Sequence, residues 1–224
     1  MTWTVGIDTS HVVAVGIARD GEPVARVIVD DTRAHAEALM PSVLEACAQA
    51  GIALTDVDEF AVGMGPGPFT GLRVGIATAW TLALAGHKPV HGVCSLDVVA
   101  LQRVLAVPAA GGDASKGTPA FVVAADARRK ELYWATYDAE GNRLGEPQVS
   151  APTELPDLPV AGAVPAEYHE FLHIQGPDAL DPAVLAARWA SLAPAGDEPY
   201  YLRAADATVP GKPKSALPRL RARR

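Results

Sequence analysis

Short apolar runs separated by turn residues open the chain and predict a β-rich beginning. The runs TWTVGIDTS and HVVAVGIARD predict two strands, and Asp20-Gly21 predicts a hairpin turn into a third strand, EPVARVIVD. The run DEFAVGMG at 58–65 is continuously apolar, which is typical of a buried strand. A shorter apolar run, PVHGVCS, predicts another strand further along.

Helical periodicity appears between these runs. Apolar residues at three- and four-residue spacing predict a helix over 33–50, closed by Gly51. A second helix is predicted over 71–85, closed by Gly86, and Ser95 is placed to cap a third. Strands alternating with helices indicate an α/β fold with mixed sheets flanked by helices.

The opening pattern returns in the second half of the chain. Asp8 and Asp20 are twelve residues apart, as are Asp126 and Asp138, and the two copies superimpose at an offset of 118. A repeat of this kind indicates one supersecondary unit used twice. We therefore predict two similar lobes and divide the chain as follows: an N-terminal lobe over 1–106, a linker over 107–119, a C-terminal lobe over 120–209 and a basic tail over 210–224.

Composition and charge narrow the class of protein. With 49% apolar and 20% charged residues in 224, the chain is typical of a packed globular protein. Its apolar runs are too short to span a membrane, and its start shows no signal peptide, so we expect a soluble cytoplasmic protein. Cys47 and Cys94 are far apart and are expected to be buried thiols.

The net charge of −7 is unevenly distributed. Residues 211–224 contain six basic and no acidic residues, which leaves −13 for residues 1–210. An acidic body argues against a protein that coats nucleic acid by itself. The basic tail fits either an RNA-contacting arm or a solvated end.

The most unusual stretch is GMGPGPFTGLRVGIATAW at 63–80, which follows a buried strand and enters a helix. Four glycines and two prolines within nine residues predict a stiff, specifically shaped turn. Backbone N–H groups at such a helix entrance could bind an anion. The stretch is neither a P-loop nor G-x-G-x-x-G, and a close-packed turn explains it equally well.

Four segments together resemble the TsaB (YeaZ) family, a subunit of the bacterial tRNA threonylcarbamoyladenosine machinery. They are GIDTS, GPGPFTGLRVGIATA, DARRKELYWATYD and PYYLRAADA, and they cover nearly the whole chain in the expected order. Pro68 stands where the family more usually has serine. The resemblance implies duplicated ribonuclease-H-like lobes, the fold of actin, hexokinase and the Hsp70 ATPase, which agrees with the repeat.

The resemblance also implies partners. TsaB-type proteins bind the catalytic subunit TsaD through first-lobe helices and form homodimers through much the same surface. We therefore expect the helices over 33–50 and 71–85 to form this interface. The candidate contact residues are His35, Leu39, Val43, Phe69, Thr70, Arg73 and Trp80. Asp8, Thr9, Gly65 and Gly67 are candidates for a vestigial anion or nucleotide site.

Catalytic sets known on this fold are incomplete in the sequence. The glycines of the second half, Gly141, Gly145, Gly162 and Gly176, are isolated, so a second glycine-rich loop to hold adenosine is not expected. The H-x-E-x-H pattern of TsaD is met only by His35 and Glu37, with Leu39 in place of the second histidine. We expect no metal and no cofactor on this chain, and we expect ATP and metal on partner subunits.

One further spacing needs an explanation. His169-Glu170-Phe171-Leu172-His173 matches H-E-x-x-H, the zinc-protease signature. A third ligand is hard to identify, and the helix predicted over 166–173 is short and flanked by Pro165 and Pro177. We interpret the match as accidental.

Together with the incomplete catalytic sets, the resemblance therefore implies a non-catalytic, dimerising subunit that binds and activates TsaD in the complex that makes tRNA N6-threonylcarbamoyladenosine (t6A). The ATPase TsaE is an expected further partner, and tRNA is contacted indirectly through the complex. Two alternatives stay open: a stand-alone nucleotide-dependent phosphotransferase that uses Asp8 and Asp126, and a zinc peptidase that uses His169 and His173.

Overall fold

The structure is a computed structural model and describes residues 1–30, 35–106, 120–196 and 198–203. The predicted linker over 107–119 and the basic tail over 210–224 lie outside these ranges, as does the side chain of His35.

The first sheet has five strands in the order β3-β2-β1-β4-β5. Strands β1 to β3 form an antiparallel meander, and β4 and β5 extend it in parallel with β1. We call this sheet the first lobe. In chain order, this part of the protein contains the strands and helices β1 (Trp3–Asp8), β2 (Val13–Arg19), β3 (Glu22–Val29), α1 (His35–Ala50), β4 (Glu59–Gly63), α2 (Phe69–Gly86), β5 (Val90–Val93) and α3 (Ser95–Ala106).

The second sheet, which we call the second lobe, has four strands in the order β8-β7-β6-β9. Three are again an antiparallel meander, and the short β9 pairs in parallel with β6. Its elements and the last α-helix are β6 (Phe121–Asp126), β7 (Leu132–Tyr137), β8 (Arg143–Ser150), β9 (Val160–Ala161) and α4 (Pro182–Arg188). Short 3₁₀ turns cover Leu54–Asp56, Pro152–Glu154, Ala166–Tyr168 and Trp189–Ser191.

The strand pairing confirms the internal repeat. In the first lobe Asp8 faces Ala14 across the β1–β2 pair, and in the second Asp126 faces Leu132 across β6–β7. Both pairs are related by the offset of 118 found in the sequence. The two sheets therefore begin with the same hairpin in the same register, which confirms an α/β fold of duplicated lobes.

Turn residues behave largely as their chemistry predicts. Asp20 and Gly21 both have positive φ, 52° and 78°, as a two-residue hairpin with a right-handed strand twist requires. Gly51 ends α1 with φ +72°. The end of α2 differs from the prediction, because Gly86 is still helical and His87 takes the left-handed conformation at φ 53°.

Two helices lie on the lobe opposite to the one that the chain order suggests. α3 follows the first-lobe strands but packs against β6, β7 and β9. α4 follows the second-lobe strands but packs across β1, β2 and β3. The boundary predicted at residue 106 therefore does not follow the packing.

Glycines on the first sheet make room for α4. A Cβ at Gly6 would lie 2.6 Å from the carbonyl oxygen of Pro182, and a Cβ at Gly16 would lie 2.1 Å from the same atom. The helix backbone therefore rests directly on the sheet at these two positions, which is the close approach that only glycine allows.

The other face of the first sheet carries α1. Leu39 and Val43 are 1% and 0% exposed and belong to the core between α1, β2 and β3. Cys47, one turn further on, is also buried, and so is Cys94. Both cysteines are free thiols, as expected.

Candidate partner interface and the glycine-rich segment

The glycine-rich segment over 63–71 packs against the end of β1. Asp8 is 2% exposed, and its carboxylate accepts hydrogen bonds from the Ser10 backbone N–H at 2.8 Å and the Ser10 hydroxyl at 2.6 Å. Its other oxygen accepts from the Ser95 hydroxyl at 2.5 Å. Ser95 also accepts a hydrogen bond from the Gly65 N–H at 3.1 Å. The carboxylate is thus held by three protein donors.

Thr9 makes the second link. Its hydroxyl donates to the Gly71 carbonyl oxygen at 2.8 Å and accepts from the Gly75 N–H at 3.1 Å, inside the first turns of α2. A Cβ at Gly75 would lie 2.2 Å from the Thr9 hydroxyl oxygen, so the side chain fits only because position 75 is glycine. Gly67 approaches Ser10 as closely, since its Cβ would lie 2.7 Å from the Ser10 carbonyl oxygen.

The structure therefore brings together the four residues predicted for an anion or nucleotide site, Asp8, Thr9, Gly65 and Gly67. All four are buried, and the segment closes onto the β1–β2 turn. The polar groups of Asp8 and Thr9 are used inside the protein, which favours the close-packed turn. Nucleotide binding at these residues stays a prediction. Ser95 completes the arrangement, and the sequence indicated it only as a helix cap.

A cavity of about 160 Å³ lies beside Asp8, between the lobes. Asp8, Asp30 and Asp178 are among its lining residues, together with His11. Burial lowers the pKa of His11 below its usual 6.5, and Arg128 lowers it further, while Asp126, Asp8 and Asp30 act in the opposite direction. A neutral imidazole among carboxylates gives little attraction for a phosphate.

The second-lobe aspartate is also engaged by its own turn. The carboxylate of Asp126 accepts from the Arg128 backbone N–H at 2.7 Å, and its other oxygen lies 3.0 Å from the Arg128 guanidinium. Arg128, Arg129 and Lys130 all have positive φ, between 55° and 63°, in the turn from β6 to β7. Neither Asp8 nor Asp126, the pair required by the phosphotransferase alternative, is free of protein partners.

The H-E-x-x-H spacing does not lie on an α-helix. A 3₁₀ turn covers only Ala166–Tyr168, where a helix over 166–173 was predicted, so that prediction is wrong. His169, Glu170 and His173 are exposed, and a ring nitrogen of His169 lies 3.0 Å from the Val164 carbonyl oxygen. Within the described ranges, no three His, Cys, Asp or Glu side chains are grouped to hold a metal ion.

The predicted interface residues fall into two groups. Leu39 and Val43 face the core, so the prediction that they contact a partner is wrong. Thr70 and Arg73 are exposed, and Trp80 is 51% exposed. Phe69 is half-buried, its ring 4.9 Å from that of Tyr201 and 4.9 Å from the Arg73 guanidinium.

Sequence reasoning missed several exposed apolar residues. Leu84 is 77% exposed and lies one turn after Trp80, so Arg73, Ala77, Trp80 and Leu84 form one exposed stripe along α2, which we call the α2 outer face. On α1, which packs beside α2, Leu44 is 54% exposed. The sequence did contain a signal for Leu84, because its helical spacing from Trp80 and Arg73 places it on the same face of α2 as those two residues.

A cavity of about 380 Å³ opens beside Trp80, between α2, the β4–β5 strands and the segment over 189–196. The His91 and Trp189 rings stack there with centroids 3.6 Å apart. The Trp189 indole N–H donates to Glu59 at 3.1 Å. The α2 outer face is therefore bordered by an apolar recess.

No described helix is long and apolar enough to cross a membrane.

Comparisons with known proteins cover most of the chain. The family model described as TsaD, tRNA N6-adenosine threonylcarbamoyltransferase, matches residues 28–184. An uncharacterised protein of Mycobacterium tuberculosis is 42% identical over 212 residues, which are 91% of this chain and 92% of that protein. The Escherichia coli tRNA threonylcarbamoyladenosine biosynthesis protein TsaB is 36% identical over 112 residues, 50% of this chain and 45% of that protein.

Solved structures are also similar over both lobes. A crystal structure from Pseudomonas aeruginosa, described as an uncharacterised protein with similarity to peptidase YeaZ, has a TM-score of 0.67 at 27% identity and covers 91% of this chain and 100% of its own. A second structure, described as YeaZ from the same organism, has a TM-score of 0.63 at 27% identity, with 85% and 93% covered.

Proposed function

We infer that this chain is a non-catalytic subunit that binds and activates TsaD. The chain belongs to the TsaD family and, within it, to the TsaB (YeaZ) members, and it takes part in t6A biosynthesis. In this proposal TsaD carries the metal and the transfer chemistry, and TsaE supplies ATP hydrolysis. The chain contacts tRNA indirectly, through the complex.

The α2 outer face is the observation that carries this proposal. Trp80 and Leu84 are 51% and 77% exposed and lie one helical turn apart. Large apolar side chains grouped on a surface are typical of protein interfaces, where tryptophan is often a main contributor to affinity. Arg73 at the same face can pair with a carboxylate of a partner.

The non-catalytic role is supported by how the acidic residues are used. Asp8 is buried under three hydrogen bonds, and Asp126 is paired with Arg128. The described residues that line the cavity beside Asp8 include three aspartates and no lysine or arginine, so no cationic side chain there can pair with a nucleotide phosphate. We propose that ATP and metal are bound on the partner subunits.

The same surface can serve two partners. Because TsaD and a second copy of this chain would both cover the α2 outer face, the two associations exclude each other. We propose that the homodimer forms when TsaD is absent and dissociates as TsaD binds. The free energy gained by covering Trp80 and Leu84 would be similar in the homodimer and in the complex with TsaD. The concentrations of TsaD and of this chain would therefore decide which of the two forms.

The test replaces the apolar side chains of the α2 outer face. The wild-type chain should form a stable complex with TsaD from the same organism, measured by light scattering and by titration calorimetry. In Trp80→Glu/Leu84→Glu the affinity should fall by at least about thirty-fold, since losing a central contact costs about 2 kcal/mol or more.

Leu105→Glu is the matched control, because Leu105 is 59% exposed but lies on α3, against the second lobe. It should bind TsaD as the wild type does. Equal affinity of the double variant and the control would contradict the proposal. ATP hydrolysis by the isolated chain that Asp8→Asn abolishes would instead favour the phosphotransferase.

A further inference from the structure

The last described residues, 198–203, have no regular secondary structure but contact both lobes. The Tyr200 N–H donates to the Met64 carbonyl oxygen at 2.9 Å, in the glycine-rich segment of the first lobe. The Arg203 guanidinium donates to the Ala127 carbonyl oxygen at 2.7 Å and pairs with Glu131, both at the β6–β7 turn of the second lobe. Between them, Tyr201 packs on Phe69 at the start of α2.

Tyr200 touches the second lobe as well. Its hydroxyl accepts from the Arg143 guanidinium at 3.2 Å, and that guanidinium lies 5.2 Å from the Tyr200 ring centroid. Arg143 in turn pairs with Asp97 of α3 at 3.3 Å, and Asp97 accepts from the Tyr137 hydroxyl at 2.8 Å. Asp97 and Tyr137 are 5% and 0% exposed.

The polar cluster of Tyr200, Arg143, Asp97 and Tyr137 requires specific distances between its members, which a purely apolar contact would not. Burial raises the pKa of Asp97, and the neighbouring Arg143 guanidinium partly offsets that rise. A buried ion pair contributes little net stability, but its partners must stay in register because separating them leaves a charge unpaired. The cluster therefore fixes where Tyr200 sits relative to α3, β7 and β8.

We propose that residues 198–203 form a strap that holds the two lobes at a fixed angle and keeps the glycine-rich segment seated on β1. Lobes that surround a cleft commonly move by hinge closure. Here one short segment is bonded to the glycine-rich segment on one side and to Arg143, Ala127 and Glu131 on the other. The chain presents the α2 outer face as part of one rigid body. This inference does not depend on TsaD binding.

The experiment measures the distance between the lobes in the full chain. Spin labels are attached at Gln49→Cys on α1 and Glu146→Cys on β8, both exposed. We expect the native thiols of Cys47 and Cys94 to be labelled slowly, because both side chains are buried and burial raises the pKa of each thiol. The distance distribution should be narrow in the labelled parent and at least two-fold wider in Tyr200→Ala/Arg203→Ala. Hydrogen exchange over residues 63–72 should be at least ten-fold faster in the double variant.

Arg188→Ala is the matched control, since its exposed ion pair with Glu22 at 3.3 Å joins α4 to β3, the first-lobe strand on which α4 packs, and involves no second-lobe strand. It should behave like the parent. A double variant with the parent's distance distribution and exchange rates would overturn the strap. Should that variant not fold, Tyr200→Phe and Arg203→Met each remove polar bonds and keep most of the side-chain volume. Faster exchange over 63–72 in either supports the strap, and unchanged exchange in both overturns it.

Discussion

At the residue scale, the missing side chain at Gly63 decides how the glycine-rich segment packs on β1. A Cβ at this position would lie 1.8 Å from a carboxylate oxygen of Asp8 and 2.7 Å from the Ser95 hydroxyl oxygen. Asp8 is held from two sides, so it has little room to move aside. Gly63 therefore protects the hydrogen bonds that hold the Asp8 carboxylate inside the protein.

We expect Gly63→Ala to lower the free energy of unfolding by about 1–3 kcal/mol, the usual cost of adding a methyl group to a close-packed site. Urea denaturation followed by circular dichroism measures this change. Gly86→Ala is the control, because the nearest atom to its Cβ is the flexible Lys88 side chain at 3.1 Å. A Gly63→Ala variant as stable as Gly86→Ala would mean that β1 and β4 separate easily.

At the scale of elements, α1 shows what apolar periodicity can predict. The spacing of Leu39, Met40, Val43, Leu44 and Cys47 predicted the helix, and the structure confirms it over the described residues, His35–Ala50. The same spacing could not say that Leu39 and Val43 face β2 and β3, nor that Leu44 faces outward. Which side of an apolar helix is covered depends on neighbours that are distant in sequence.

The two faces of α1 should respond differently to the same change. Leu39→Ala leaves a cavity in the core, so we expect the free energy of unfolding to fall by about 2–5 kcal/mol. Leu44 is 54% exposed, so Leu44→Ala should change it by no more than about 0.5 kcal/mol. Chemical denaturation of both variants checks this pair. Equal losses would show that Leu44 is covered, as in a stable homodimer.

At the scale of the whole molecule, the lobes are joined by the exchange of α3 and α4. α3 covers strands of the second lobe, and α4 covers strands of the first. Each sheet therefore depends on a helix from the other half of the chain for part of its core. Separate folding of the two halves is not expected, although the repeat in the sequence suggests two independent units.

A fragment of residues 1–106 tests this dependence. It lacks α4, and its α3 has no second sheet to pack against, so we expect no cooperative unfolding transition in urea. Mixing it with a fragment of residues 120–224 should restore a cooperative transition. A fragment 1–106 that unfolds cooperatively by itself would show that the first lobe is an independent domain.

The sequence by itself determined the strands of both hairpins, the helices α1, α2 and α3 over most of their length, the repeat at an offset of 118 and the family. These features depend on local spacing, turn chemistry and motifs, which can be recognised without knowing what packs against them.

Only the tertiary structure decided that Asp8 is held by Ser10 and Ser95, that Leu84 is exposed and Leu39 is buried, and that α3 and α4 lie on opposite lobes. Each of these facts is set by contacts that chain spacing does not encode, often between residues far apart in sequence. Ser95 is 87 residues from Asp8, and α4 follows β1 by more than 170 residues. Burial and hydrogen bonding at those positions are properties of the packed chain as a whole.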